Sequence, residues 1–119
     1  MAIFTKQNIQ AIVVQEPSGE FVGSITNVPD IVVIAGGTQN EAFEDFTNWC
    51  NAHLSMGPPQ LLTDEAQLER IQGIVNNYFE TGHTDLAKDV LGDIQTINNP
   101  LLLKYAQEQL QRLLDSNTP

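Results

Sequence analysis

The sequence predicts an α+β fold: a three-stranded antiparallel sheet with a packed helix, followed by a helical C-terminal half. Three observations predict it. Short apolar runs separated by turn residues fill the first third of the chain. A two-glycine turn and a capping threonine at Gly36-Gly37-Thr38 then open an amphipathic helix, and from Thr63 onward the apolar period is that of helices throughout. This change of period divides the chain into a strand-strand-strand-helix unit at 1–62 and three helices at 63–119.

The first strand runs from Asn8 to Gln15. Ile9, Ala11 and Val13 alternate with Gln10, Ile12 and Val14, so one face is wholly apolar and the other is apolar at two of three positions. Such a strand expects cover on both sides. Glu16-Pro17-Ser18-Gly19-Glu20 supplies turn chemistry, since proline fixes φ and glycine accepts φ > 0, and Phe21 to Thr26 returns as the second strand of a hairpin. After a break at Asn27-Val28-Pro29-Asp30, Ile31-Val32-Val33-Ile34 gives four consecutive apolar residues, the pattern of a strand in the middle of a covered sheet.

Gly36 and Gly37 permit a close or left-handed turn, Thr38 stands at the N-cap, and Glu41 is placed to return a bond to the Thr38 backbone N–H. Ala42, Phe43, Phe46, Trp49, Cys50, His53 and Leu54 then mark one helix face as far as about Leu54. Ser55-Met56-Gly57-Pro58-Pro59 stops it, and Gln60-Leu61-Leu62 reads as a short edge strand. The helix from Thr63 carries a stripe of Leu68, Ile71, Val75 and Tyr78, flanked by Ile74 and Phe79, and stops near Gly82. Thr84 caps the next, with Leu86, Ala87, Val90, Leu91 and Ile94 inward; Gly92 weakens it by roughly 1 kcal/mol relative to alanine. Asn99 before Pro100 opens the last helix, with Leu102, Leu103, Ala106, Leu110, Leu113 and Leu114 inward, and a frayed tail is expected at 116–119.

Apolar residues make up 41% of the 119 and charged residues 17%, the balance of a chain that folds. Fifteen acidic against five basic residues leave a net charge of -10, which repels phosphate backbones, argues against direct nucleic-acid binding and favours a basic protein partner. Residues 1–62 hold six acids and one lysine, and 63–119 hold nine acids and four bases, so no basic module hides in the total. One cysteine excludes an internal disulfide. The N-terminal stretch lacks the basic and apolar regions of a leader, and no window approaches 18 apolar residues, so a soluble cytoplasmic protein without membrane contact is expected.

Reacting groups are few. Cys50 and His53 stand three apart on one helix and suggest a nucleophile–base pair or half a zinc site; a structural zinc wants four ligands, so Cys50 is read as an inert core thiol and His53 as the polar end of the stripe. Gly36-Gly37-Thr38 lacks the lysine and spacing of a phosphate loop. No catalytic residue, cofactor or metal ligand is assigned. The candidate partner-binding residues are Glu41, Glu44 and Asp45, which also favour the positive end of the helix dipole, together with Glu16, Glu20 and Asp30 in the turns. Tyr78, Phe79, Tyr105 and Leu101-Leu102-Leu103 exceed what one narrow stripe needs; core packing is the default for most of them, and some are open to an isologous homodimer patch.

The order of elements over residues 8–54, with the acidic and glycine-bearing turn Glu16 to Glu20, the Pro29-Asp30 turn and the helix start Gly36-Gly37-Thr38-Gln39-Asn40-Glu41-Ala42, resembles the HicB-type antitoxins. The resemblance implies a partial ribonuclease-H-like domain of three antiparallel strands and a helix. Two departures stand out: Gly37 occupies a position where the family often has an acid, and the C-terminal half offers only Arg70, Lys88, Lys104 and Arg112 as cations. Autorepression by DNA binding is therefore not carried over. Nuclease activity is not implied either, because the third strand lacks clustered carboxylates for two metals. The expectation is a non-enzymatic acidic module that neutralises a basic toxin by covering its nucleic-acid site. The alternatives are a small acidic inhibitor or nucleic-acid mimic acting on a nucleic-acid-binding machine, and an enzyme whose site is completed only on oligomerisation.

Overall fold

The computed structural model describes residues 2–55, 57, 60–97 and 99–116. Four antiparallel strands, β1 (Ala2–Lys6), β2 (Ile9–Gln15), β3 (Phe21–Ile25) and β4 (Val33–Gly36), lie in chain order. Four helices follow: α1 (Gln39–Leu54), α2 (Asp64–Glu80), α3 (Thr84–Ile94) and α4 (Pro100–Ser116). The class is α+β with an antiparallel sheet, as the sequence predicts, but the sheet has four strands rather than three. The added strand, β1, pairs with β2 from Ala2–Val13 to Lys6–Ile9, across a two-residue turn in which Gln7 and Asn8 both take positive φ, 49° and 71°. That is the φ pattern of a type I′ turn, whose twist matches a hairpin. Ile3-Phe4 is too short an apolar run to announce a strand, and Gln7-Asn8 contains no glycine to announce the turn.

β2 lies between β1 and β3 and has no solvent face. Ile9, Ala11 and Val13 pack with Ala42, Phe46 and Cys50 of α1, while Ile12 and Val14 pack with Ile71, Val75, Leu86, Val90, Leu91 and Ile94 of α2 and α3. The molecule is thus three layers, with α1 on one side of the sheet and the other helices on the opposite side. Burying each such side chain contributes about 1.5–3 kcal/mol before the cost of ordering it. Cover on both faces of the Asn8–Gln15 strand is therefore as read.

β4 departs from the expected place in the sheet. The apolar run was expected in the middle of the sheet at Ile31–Ile34; the strand instead starts two residues later and is the sheet's last. Ile34 is buried under α1, yet Ile31 is 88% and Val33 64% exposed. An unbroken apolar run does not distinguish cover on two faces from cover on one face of an edge strand. Gln60–Leu62, read as an edge strand, forms none. Leu62 N–H donates to the Asn27 carbonyl at 2.8 Å, and Leu61 is exposed.

The helix boundaries follow their caps. Thr38 Oγ1 accepts from Glu41 N–H at 3.1 Å, as expected, but the Glu41 carboxylate accepts from Gly37 N–H at 3.3 Å rather than from Thr38. The second bond lands one residue early. Gly57 carries φ +118° beyond α1; Met56, Pro58 and Pro59, also read as stopping it, lie outside the described residues. Thr63 caps α2 through Ala66 N–H at 3.2 Å. Its end is a Schellman motif, with Gly82 (φ +82°) N–H donating to Phe79 O and His83 N–H to Tyr78 O. Because His83 follows so closely, it occupies the cap position of α3 without a side-chain bond, and Thr84, expected as the cap, is already helical. Asn99 Oδ1 accepts from Leu101 N–H at 3.0 Å and opens α4 as read. Of the leucines expected inward on α4, Leu102 is buried and Leu110 and Leu113 are half-buried. Leu103 and Leu114 are exposed, since a stripe of six is wider than the face α3 covers. The expected frayed tail lies, beyond Ser116, outside the described residues.

Two polar ties hold α2 to the sheet. Gln67, buried, donates from Nε2 to Gln10 Oε1 at 2.7 Å and to Thr26 Oγ1 at 3.1 Å. One turn on, the Arg70 guanidinium donates to the carbonyls of Val28, Pro29 and Asp30, the last two at 3.1 and 3.0 Å. A planar fork with several donors spread over two nitrogens spans three successive carbonyls. Among the described residues, no helix is long and apolar enough to cross a membrane.

Two outcomes follow. At the strand–helix junction a Cβ on Gly36 would sit 2.4 Å from Ala42 N and 2.7 Å from the Glu41 carbonyl carbon, whereas one on Gly37 would meet only Glu41 Oε2 at 3.7 Å. Gly36→Ala is expected to cost about 1–3 kcal/mol in denaturant unfolding, and Gly37→Ala to stay within about 1 kcal/mol. On α3, burial pushes the carboxyls of Asp89 and Asp93 up, and Asp93 Oδ2 is buried with no hydrogen-bond partner. A carboxyl raised in the folded state holds its proton more tightly there than in the unfolded chain. Stability is therefore gained as pH falls through the raised value and lost as pH rises through it. Thermal unfolding from neutral pH down to the ordinary carboxylate range should show this gain, and Asp93→Asn should shrink it more than Glu80→Gln, which removes the same charge from an exposed site.

Candidate interaction surface

The two central-sheet neighbours fix which way β4 turns its backbone. Ile25 N–H donates to Val32 O at 3.1 Å, and the register pairs Gly23 with Ile34 and Ser24 with Val33. Even-numbered residues of this segment therefore direct N–H and C=O toward β3, and Ile31, Val33 and Ala35 direct theirs away. Asp45 Oδ2, reaching up from α1, accepts from Ala35 N–H at 3.1 Å. One outward position is thus occupied by a carboxylate of the chain itself. Side chains follow the same alternation: Val33 lies opposite Ser24, which lies opposite Ile12, so Val33 stands on the α2–α4 side of the sheet.

On that side a groove of about 330 Å³ runs between the β3–β4 edge and α2, lined by Ser24, Ile31, Val32, Arg70, Ile74 and Tyr78 among others. Asn77 and Tyr78 also line an adjoining hollow of about 340 Å³, closed by Glu16, Pro17 and Ser18 of the β2–β3 turn. Burial raises the Tyr78 hydroxyl above its ordinary value, and the Glu16 charge adds to the shift. Tyr78 accordingly stays protonated and keeps a donor at the join of the two hollows. Arg70, the cation in the groove, is held by the three loop carbonyls.

The six acids chosen from the sequence do not gather in one patch. Asp30 precedes β4, Glu20 stands one residue beyond the Phe21–Gly36 pair, and Glu41 and Asp45 touch the backbone at Gly37 and Ala35, so these four border the strand. Glu16 belongs to the hollow beside Tyr78, and Glu44 is exposed on α1. Asp45 has a structural hydrogen bond that sequence spacing did not reveal, and the backbone bond that spacing gives Glu41 falls on Gly37 rather than Thr38. The apolar members of the surface, Ile31 and Val33, were missed because they were assigned to the core. Nothing in their own apolarity marks them as uncovered; the exposure follows from β4 being the last strand of the sheet.

Cys50 and His53 part company. The Cys50 thiol is buried with Phe46, and burial pushes it up, which makes it a poor nucleophile. His53 is exposed, its ring stacked on Trp49 with centroids 3.9 Å apart and its Nδ1 2.9 Å from the Trp49 carbonyl oxygen. Among the described residues no group of three or more His, Cys, Asp or Glu is placed to hold a metal ion. Compared with known proteins, the chain matches no family model, no curated protein and no solved structure.

Proposed function

We propose that this chain is a non-enzymatic acidic protein-binding module that engages a basic protein through the border of β4, in the manner of the HicB-type antitoxins that residues 8–54 resemble. The observation that carries the reading is the pairing of two exposed β-branched side chains, Ile31 and Val33, with the surrounding carboxylates of Glu20, Asp30, Glu41 and Asp45. Apolar contact supplies affinity and the carboxylates supply steering and choice of partner. The net charge of -10 has the same sense: it draws cationic surfaces and repels nucleic acid. A basic toxin whose nucleic-acid site is covered by this border would be neutralised by occlusion, with no reaction required.

Charge and apolar contact separate experimentally. Glu20, Asp30 and Glu44 are exposed, and their carboxylates make none of the hydrogen bonds that hold the β4–α1 junction. The triple change Glu20→Gln, Asp30→Asn, Glu44→Gln should leave the melting temperature nearly unchanged. Binding of the chain's basic partner, captured from the native host and then purified, should fall steeply between about 0.1 and about 1 M salt, as the screening length shrinks from about 10 to about 3 Å. The triple variant should bind more weakly at low salt and show a shallower slope. Capture that is insensitive to both salt and these substitutions would contradict the proposal.

A further inference from the structure

We propose that β4 is a docking strand, to which an extended basic segment of a partner protein adds as a fifth strand of the sheet. The inference rests on the acidic-binding reading and supplies its mode. By the alternation, Val33 in β4 and Ile31 in the segment that leads into it turn N–H and C=O groups outward and carry exposed side chains, so pairing backbone is open along this edge. At Ala35 the Asp45 carboxylate already holds the N–H, which stops the pairing there and fixes how far an added strand extends.

The chemistry of the occupant follows from the two sides of that edge. Side chains of the added strand alternate between the sheet's faces. Those on the α2 side enter the groove beside Ile31, Ile74 and Tyr78 and are apolar; those on the α1 side meet Asp45 and Glu41 and are cationic. Asp30 and Glu20 mark the two ends of the strand with further negative charge, and the Arg70 guanidinium, which lines the groove and keeps its charge, favours apolar over cationic side chains on that side. The segment that fits is therefore an extended run alternating β-branched apolar residues with lysine or arginine. A second copy of this chain fits less well, since β4 pairing with β4 across a two-fold axis would bring Asp30 and Asp45 of both copies together at a net charge of -10 each.

The test is a titration of the ¹⁵N-labelled chain with three synthetic peptides: one alternating lysine and valine, the same peptide N-methylated along its pairing edge, and a lysine–glycine peptide of equal charge. With the first, the amides of Ile31 and Val33 are expected to shift and to become protected from exchange. N-methylation should weaken binding about tenfold, the loss that one or two net backbone hydrogen bonds carries. Val33→Pro should do the same, because the Val33 N–H is not part of the β3 ladder and proline is tolerated on an edge strand. Should that variant not fold, the N-methylated peptide on the unchanged chain gives the answer alone. Equal binding of the methylated and parent peptides would overturn strand addition while leaving the acidic-binding reading intact. Failure of all three basic peptides to bind would overturn both. Protection of Val33 that appears without peptide and rises with protein concentration would overturn the basic occupant in favour of a second copy.

Discussion

Ile12 and Val14 press against one layer of helices while Ile9, Ala11 and Val13 press against another, and this burial of a single strand from both sides is the constraint on which the remaining structure depends. With β2 inside, β1 and β3 must flank it, and β4 is left outermost. The two faces are not covered to the same extent. α1 spans its side as far as Ile34, whereas on the other side α3 and its neighbours cover β2 and leave the β3–β4 end facing a groove. The exposed surface at Ile31 and Val33 is therefore a consequence of where the helical layer stops.

That boundary is held by polar groups as well as by the packing of Ile71 and Val75 against β2. Gln10, Thr26, Asn27 and Gln67 form a network in which Asn27 Oδ1 accepts from Gln10 N–H at 2.9 Å and Asn27 Nδ2 donates to Asn8 O at 2.6 Å. Buried amides left without partners would each cost about 1–3 kcal/mol, so α2 is fixed in register where these bonds can all form. Arg70 completes the placement by gathering the loop that leads into β4. The loop and the strand edge it presents are thus positioned by α2, which links the C-terminal helices to the surface proposed for binding.

Most of the fold was legible, and the misses have physical causes. Alternation in Ile9–Gln15, the cap at Thr38, the stop at Gly82 and the Asn99-Pro100 start each depend on a few neighbouring residues, and each is found where the sequence places it. β1 was missed because what defines it is pairing with β2, which no pattern in Ala2–Lys6 carries by itself and which the glycine-free Gln7-Asn8 turn does not announce. β4 was misplaced for the same reason: whether Ile31 and Val33 are covered depends on how far α2 reaches, not on their own apolarity. Glu41 was legible as a backbone ligand to within one residue, whereas Asp45 was legible only as a charge. Asp45 meets Ala35 ten residues away, and only the angle between α1 and β4 brings the two together.

The central claim, that β4 presents an open edge blocked at one position, is tested most directly by amide hydrogen exchange of the isolated chain at low concentration. Ile34, paired to β3, and Ala35, held by Asp45, should exchange slowly, while Val33, the residue before them, should exchange as a solvent-facing amide. Protection of Val33 equal to that of Ile34 in the dilute monomer would contradict the account.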